Sequence, residues 1–509
     1  MKTIAENKQS YEGVRRGIDR VFRLVSSTLG PKGRNSILDK GYSSPKITND
    51  GVSIARDIEV EDDIERMGVE LMKDVATRTN EEAGDGTTTS IVLAHSIVEE
   101  CEKYSENPMI IRESLEKATE KVVNLLKKMG KPIKKDKELL QLAIVSSESE
   151  QVGNLIAQTF KAIGPKGVIT VEQSKIPEIE SKIVEGYEIE KGFASPFFAT
   201  NKDMNKAEHE NVKVLVIGEN IDNLPELAAY LEKIIGKGIK QLVIFCTEAD
   251  SAIVNTLIAN KQNGFFKSLV VKVASQKNEI LQDVCLLTGA EMISREAGKD
   301  LSKVDEKVLG YANKIISTVS KTIVIASSIL VKNKVRLLEK ELKTCKNDNE
   351  YDLIEKRIAR LSGGVAIISV GAPMEADSKY LYDKVEDAVN AVKSALEEGI
   401  VPGGGMTLYN IAKGLSEDTI GEKILKEALK APLKKIIDNA GRDYTDIIIG
   451  MPKGKGYNAK NNTYVDMLKV GIIDPLKVER CSIENAVSFA KTFITSGSTI
   501  AVCRKNDYK

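Results

Sequence analysis

Along the first third of the chain, apolar residues return at helical spacing over Met67–Asn80, Ser90–Tyr104 and Arg112–Met129. The pattern breaks at Met129-Gly130-Lys131-Pro132. Beyond it, short apolar runs alternate with amphipathic stretches: Lys213-Val214-Leu215-Val216-Ile217, a helix near Pro225–Ile235, then Leu242-Val243-Ile244-Phe245. This alternation predicts an α/β domain. The spacing of Val335, Leu338 and Leu342 returns to helix, Ser362-Gly363-Gly364 offers a flexible joint before Val365-Ala366-Ile367-Ile368, and the last part is helical again. At 509 residues the chain exceeds what one core holds, so an α/β multidomain protein of two or three domains is expected.

The most informative segment is Gly84-Asp85-Gly86-Thr87-Thr88-Thr89, directly before the apolar run Ile91-Val92-Leu93-Ala94. Two glycines let the backbone approach an anion, three hydroxyls add donors, and the free N–H groups of a helix start favour negative charge. A carboxylate beside a phosphate cradle repels the ligand unless a cation lies between them. Asp85 therefore points to Mg²⁺, which is usually held by one or two carboxylates together with phosphate oxygens. Taken alone, the same residues serve equally as an ordinary turn and helix cap.

Composition removes several alternatives. Lys+Arg and Asp+Glu both number 74, so no global field points to nucleic acid or a lipid surface. No uninterrupted apolar run nears the roughly 18 residues of a membrane span. Six cysteines (Cys101, Cys246, Cys285, Cys345, Cys481, Cys503) without a close pair argue against zinc or a disulfide framework and fit a reducing compartment. Of two histidines, His95 and His209, the first sits in a helical apolar run and reads as a packing residue. So few histidines set aside a Ser-His-Asp hydrolase. No Gly-x-x-x-x-Gly-Lys-Ser/Thr occurs, so a nucleotide site here is not a P-loop. The first residues mix Lys2, Arg15, Arg16, Arg20 and Arg23 with Glu6, Glu12 and Asp19, unlike a transit or signal peptide; a cytoplasmic setting is expected, an organelle matrix being the other compartment.

A second segment, Thr28-Leu29-Gly30-Pro31-Lys32-Gly33-Arg34-Asn35, is followed by Ile47-Thr48-Asn49-Asp50-Gly51. Together with the Gly84–Thr89 loop, these stretches resemble the chaperonin family. The resemblance continues in family order through Val385-Glu386-Asp387-Ala388, Glu397-Glu398-Gly399-Ile400-Val401-Pro402-Gly403-Gly404-Gly405, Gly456-Tyr457-Asn458-Ala459 and Gly471-Ile472-Ile473-Asp474-Pro475, over nearly the whole chain. Glu185-Gly186-Tyr187 through Phe193-Ala194-Ser195-Pro196-Phe197-Phe198 is similar to the bacterial and organellar branch, the group I 60 kDa chaperonins.

The resemblance implies a chaperonin fold: a mainly helical equatorial ATP-binding domain from residues 1–131 and 399–509, a small intermediate hinge domain from 132–185 and 365–398, and an inserted α/β apical domain over 186–364. Gly186 and Gly364 match the upper hinge, Pro132 and Gly399 the lower. It implies ATP with Mg²⁺ at Asp85 and K⁺ as a further cation. Thr28, Leu29, Gly30 and Pro31 match the first nucleotide loop; Gly86, Thr87, Thr88 and Thr89 the phosphate loop; Gly404, Asn458, Ala459, Lys460 and Asp474 positions around base and ribose. Asp50 and Asp387 match the acidic pair near the γ-phosphate and its attacking water. Periodicity adds that Val385, Ala388, Val389, Val392 and Leu396 form a core stripe from which Asp387 points away.

The implied function is an ATPase coupled to protein folding in a ring-shaped chamber, with non-native polypeptides as clients, a 10 kDa-type co-chaperonin and stacked seven-membered rings of this chain. By positional match the resemblance puts the client face on Phe193, Phe197, Phe198, Leu231, Val254, Ile258 and Ala259, although helical spacing alone would place these residues in the core. On the helix Asp250–Lys261, Ile253 and Leu257 are expected inward, with Val254 and Ile258 facing the cavity.

Departures from the family pattern keep a second reading, a divergent holdase or scaffold with weak or no ATP turnover. Asn49 stands where this branch has a lysine, as in the archaeal and eukaryotic cytosolic branch, with consequences for potassium dependence or rate. Ser147 and Ser149 replace an asparagine and an aspartate, and Ala228 a larger apolar residue. Val273–Asn278 is shorter than the family's loop, and the ending Cys503–Lys509 lacks a Gly-Met-rich tail.

Overall fold

The computed structural model describes residues 2–502 except 40, 42–44, 165–166, 175, 202–204, 274–277, 295–297, 300, 327–328, 345–353, 355–356, 359–360 and 362–363. The expected joint at Ser362-Gly363, the stretch Ala274-Ser275-Gln276-Lys277, Cys345 and the ending Cys503–Lys509 lie outside the described residues. The chain divides into two compact units, one of Met1–Lys161, Val171–Glu180 and Ser369–Lys509, the other of Ala162–Thr170 and Ser181–Ile368.

In the first unit the three expected helices run Asp63–Ala83, Thr87–Cys101 and Pro108–Met129. The outer two have side-chain caps: the Asp62 carboxylate accepts from the N–H groups of Ile64 and Glu65 (2.9 and 2.7 Å), and Asn107 accepts from Met109 with Pro108 next in line. The helices Asn7–Val25 and Leu476–Ile494 pack with them around Ile18, Met72, Ile91, Leu93, Leu115, Leu126 and Phe493. The two ends of the chain meet, Lys2–Glu6 pairing antiparallel with Ser498–Val502. His95 stacks on Phe22 with ring centroids 3.8 Å apart, and its Nε2 lies 2.9 Å from Asp19 Oδ1; burial pushes its pKa down, as suits a packing residue.

The helix Glu375–Glu398 belongs to the same unit. Its stripe of Val385, Ala388, Val389 and Val392 is buried and Leu396 half-buried. Gly399 ends it at φ 91°, where an added Cβ would lie 2.6 Å from the Lys131 carbonyl oxygen. Lys131 and Ile400 exchange both backbone hydrogen bonds (2.9 and 2.8 Å), so the two chain passes at Pro132 and Gly399 run side by side.

The second unit is a mixed sheet under helices. Ala207–Ile221 is parallel to Gln241–Ala249, which is parallel to Lys267–Lys272. On its other side come Gly310–Ser317, Thr322–Ile325 and Ile179–Ile189, each antiparallel to the last. The helices Leu224–Gly236, Ser251–Gln262 and Asn278–Thr288 share one core with the strands, through Leu227, Ile234, Ile253, Leu257, Leu281 and Val284 against Val214, Val216, Phe245 and Val270. Parallel neighbours need such crossover helices, which is why apolar strand runs alternate with helical periodicity in the sequence. Gly186 lies in a strand opposite Ile325, and a Cβ on it would lie 2.5 Å from Val365 Cγ2. Among the described residues, Cys101, Cys246, Cys285 and Cys481 are free thiols, and no helix is long and apolar enough to cross a membrane.

Candidate functional site

Gly84-Asp85-Gly86 is the whole link between two buried helices. Gly84 (φ 71°) closes Asp63–Ala83 with its N–H on the Asn80 carbonyl at 2.8 Å, and Gly86 (φ 83°) opens Thr87–Cys101. Both stand in the left-handed region that favours glycine. A Cβ on Gly86 would also lie 2.5 Å from Val478 Cγ1. The tight turn puts the free N–H groups at the start of a 15-residue helix beside the Asp85 carboxylate, which itself accepts from Gly86 N–H at 2.6 Å.

Three further loops reach this turn. Thr28 Oγ1 lies 3.4 Å from Thr88 Oγ1, and the Thr28 hydroxyl also donates to the Val25 carbonyl at 2.8 Å. Asn439 clamps the same loop, its Nδ2 donating to the carbonyls of Ser26 and Leu29, both at 2.9 Å. Leu29 then packs into an apolar cluster with Met406, Ile436, Met467 and Ala459. Gly404 stands beside Met467, and its N–H donates to Asp474 Oδ2 at 3.0 Å. Asn458 is half-buried and accepts from Lys460 N–H at 3.0 Å, while Lys460 and Pro31 are exposed. On the phosphate-loop side, the Asp50 carboxylate caps Gly51–Asp57, accepting from Val52 N–H (3.2 Å) and Ser53 N–H (3.0 Å). A Cβ on Gly51 would lie 2.6 and 2.7 Å from the hydroxyls of Thr88 and Thr87, so this turn abuts the threonines. Asn49 is half-buried on it.

Asp387 arrives from the helix Glu375–Glu398, on a polar face shared by Asp383, Asn390 and Ser394 at helical spacing. The Ser394 hydroxyl donates to the Ala83 carbonyl at 2.8 Å, and Asn390 Nδ2 to the Gly84 carbonyl at 3.4 Å, laying that face over the Gly84–Gly86 turn. Burial, then the carboxylates of Asp50 and Asp85, push the Asp387 pKa well above the usual carboxylate range. Burial also raises Asp85, with Asp50 adding to it, against the Gly86 N–H and the Lys384 ammonium. Lys384 is nearly buried and paired with Glu148 at 2.7 Å; burial opposes its charge, yet the Glu148 carboxylate holds its pKa above the ordinary lysine value. Asp474 is pushed up to about 6 by burial and by Asp85.

A cation among these carboxylates would relieve their mutual repulsion, so the donor set fits a metal held together with phosphate. Among the described residues no three acidic, histidine or cysteine side chains are placed to cage a metal alone. A Mg²⁺ at Asp85 would therefore complete its shell with phosphate oxygens and water.

A sequence model of the TCP-1/cpn60 chaperonin family matches residues 21–502. The chain belongs to that family. The chaperonin gp146 from the bacteriophage EL 2 (Pseudomonas aeruginosa), solved in the presence of ATP-BeFx, superposes with a TM-score of 0.71 at 22% identity in one crystal form, covering 98% of both chains. In another form of that protein the TM-score is 0.64 at 22% identity, over 99% of both chains. The fold is thus the multidomain α/β chaperonin fold, and family membership carries a chaperone role.

Several residues that shape the chaperonin's site escape a sequence reading: Lys46, Asp383, Lys384, Asn390, Asn439 and Glu479. One signal was available for Asp383 and Asn390, which share the polar stripe of Asp387 opposite the apolar one. Asn439 and Glu479 carry no local signal, since a capping amide and a buried acid are recognisable only by what surrounds them.

The expected client face needs correction. Phe193, Phe198, Leu231, Val254 and Ile258 are all buried; only Phe197, 67% exposed, and Ala259 are open. The apolar stripe of Ser251–Gln262 is narrow enough for Ile253, Val254, Leu257 and Ile258 to pack inward together, leaving no cavity-facing edge. Phe198 is anchored under the same helix, whose Lys261 ammonium donates to the carbonyls of Phe197, Phe198 and Ala199 at 3.1, 2.5 and 2.8 Å. Phe265, just past the helix, is 77% exposed and was not foreseen.

Proposed function

We propose that this chaperonin is an ATP-driven folding chaperone. The observation that carries the proposal is the convergence of Asp387, Asp50 and Asp85 at the threonine-rich start of one helix, where Asp50 and Asp85 oppose ionisation of Asp387. A packed turn has no use for such a charge set, whereas a metal-phosphate group relieves it. On this reading Thr28, Leu29, Gly30, Pro31, Gly86, Thr87, Thr88 and Thr89 hold phosphate oxygens or frame the loops that do, and Gly404, Asn458, Ala459, Lys460 and Asp474 flank base and ribose. Asp387 and Asp50 orient the attacking water. Mg²⁺ at Asp85, when bound, neutralises charge on the phosphates.

The phage chaperonin of the same fold was solved in the presence of ATP-BeFx, which supports a nucleotide here. We extend the reading to the equatorial, intermediate and apical division at the residues given above, with hinges at Pro132, Gly186, Gly364 and Gly399. It also takes in K⁺ dependence altered by Asn49, non-native polypeptide clients, a 10 kDa-type co-chaperonin, seven-membered rings and a cytoplasmic setting.

Steady-state ATPase with Mg²⁺, with and without K⁺, tests the reading in wild type and Asp387→Asn. The expected result is turnover in wild type and a loss of roughly 10²-fold or more in the variant, with ATP affinity retained. Equal turnover in both overturns the role of Asp387. A wild type that suppresses aggregation without hydrolysing ATP is instead a holdase or scaffold, the reading that Asn49 favours.

A further inference from the structure

Lys46 and Asp383 form an ion pair with Nζ and Oδ2 2.8 Å apart, and both side chains are mostly buried. The Thr48 hydroxyl donates to the same Asp383 oxygen at 3.3 Å, and the Lys46 ammonium donates also to Ser53 Oγ at 3.2 Å. These contacts join two pieces of chain that each carry an acidic site residue. Lys46 begins the strand Lys46–Thr48, which runs straight into the turn bearing Asp50, and Ser53 lies in the helix that Asp50 caps. Asp383 stands one helical turn before Asp387 on the same face.

Docking that face brings Asp383 and Asp387 towards Asp50 and Asp85, and four carboxylates resist being gathered. Two lysines offset them. Lys384 answers through Glu148 and acts on Asp387 and Asp85, while Lys46 is consumed by Asp383 and Ser53. A buried pair of this kind adds little net stability, yet removing one member leaves an uncompensated charge. Its effect is felt in which arrangement is allowed, here the distance between the Asp50 turn and the Asp387 helix.

We propose that the Lys46–Asp383 pair is a positioning device for hydrolysis, holding Asp387 over the phosphate loop and acting on the chemical step rather than on nucleotide affinity. The inference rests on the ATPase reading above. Neither residue is a catalytic group, since both act through the placement of Asp387.

The test is the rate and affinity of Lys46→Met, Asp383→Asn, the conservative Lys46→Arg and the charge-swapped Lys46→Asp/Asp383→Lys. Steady-state kinetics with Mg²⁺-ATP give kcat and KM, calorimetry with a non-hydrolysable ATP analogue gives affinity, and thermal melting confirms folding. Each charge-removing variant is expected to lose between about 10-fold and about 100-fold in kcat, the scale of a small misplacement of a reacting group, with analogue affinity within roughly twofold of wild type. Lys46→Arg is expected to stay near wild type, and the swap to recover most of the loss.

Unchanged kcat in Lys46→Met and Asp383→Asn, with wild type active, overturns this inference alone. Parallel loss of affinity and kcat overturns it too, as does a charge-removing variant that fails to fold, because the role is then structural. A wild type without turnover overturns both this inference and the ATPase reading.

Discussion

Glu479 and Asp474 form a buried carboxyl pair beneath the site, in which the Asp474 charge opposes ionisation of Glu479. Glu479 is almost wholly enclosed, with Oε2 lacking a hydrogen-bond partner, and burial followed by the Asp474 charge pushes its pKa well above the usual range. Asp474, already accepting from Gly404 N–H, is raised to about 6. The folded chain therefore holds protons here that the unfolded chain gives up near pH 4. The pair's contribution to stability is full below that value and declines as pH rises through about 6 and beyond. Glu479→Gln keeps a donor but cannot ionise, so its melting temperature should gain on wild type as pH rises from 5 to 8 (roughly the window opened by these shifts). Nucleotide-free thermal melts measure this, and parallel curves for the two proteins would contradict it.

His209 predicts the opposite slope in the second unit. It lies buried on the strand Ala207–Ile221, its Nε2 lacks a partner, and burial with the Lys261 ammonium pushes its pKa down to about 4. An unfolded histidine titrates near 6.5, so the folded state is penalised as pH falls from there to about 4, by about 3 kcal/mol in all. His209→Phe should remove that acid sensitivity. Hydrogen exchange of the 207–221 strand at about pH 7 and about pH 5 reads it directly, and an unchanged pH response in the variant would refute the assignment.

Local chemistry was legible in the sequence where a segment determines its own conformation. Gly84 and Gly86 had to be glycines for the helix-turn-helix link, and the three long helices around them follow from their apolar spacing. The alternation from Lys213 onward gave the parallel strands and their crossover helices. The α/β class was readable for that reason, whereas the chaperonin fold came from the resemblance of the spaced motifs to that family. What escaped is non-local. Lys46 meets Asp383, and Asn439 meets the Ser26–Leu29 loop, across hundreds of residues, and no periodicity encodes such pairs. Val254 and Ile258 misled because the positional match to the family's client-binding face outweighed their helical spacing, which by itself reads as core and is what the structure shows.

Asp283 and Arg357 show what a buried pair contributes to the second unit. Asp283 is 1% exposed and receives hydrogen bonds from Arg357 Nη2 at 2.6 Å and Nε at 3.1 and 3.2 Å, with the Tyr187 hydroxyl at 3.4 Å. Burial raises the Asp283 pKa while the Arg357 guanidinium counters it. Arg357→Leu strands the carboxylate and should cost about 3–5 kcal/mol in denaturant unfolding. Adding Asp283→Leu should recover much of that loss, because the desolvated charge is gone. A double variant no more stable than Arg357→Leu would show that the pair itself, and not the orphaned charge, carries the effect.

The exposed aromatics and the buried stripe of the second unit make separable predictions about clients. Phe197 and Phe265 already present apolar rings to solvent, so they can meet an unfolded chain without rearrangement, whereas Val254 and Ile258 are core. Phe197→Ser and Phe265→Ser should leave the melting temperature within a few degrees, since surface changes usually alter stability by about 0.5 kcal/mol or less. Both should weaken suppression of aggregation of a chemically denatured client. Val254→Ser should instead destabilise the fold by about 2 kcal/mol through lost burial and an added hydroxyl in the core. Light scattering of the client alongside thermal melting separates the two. If Val254→Ser melted like wild type and abolished client capture, the helix Ser251–Gln262 would have to turn its stripe outward in the working protein, and the buried arrangement would be its resting form.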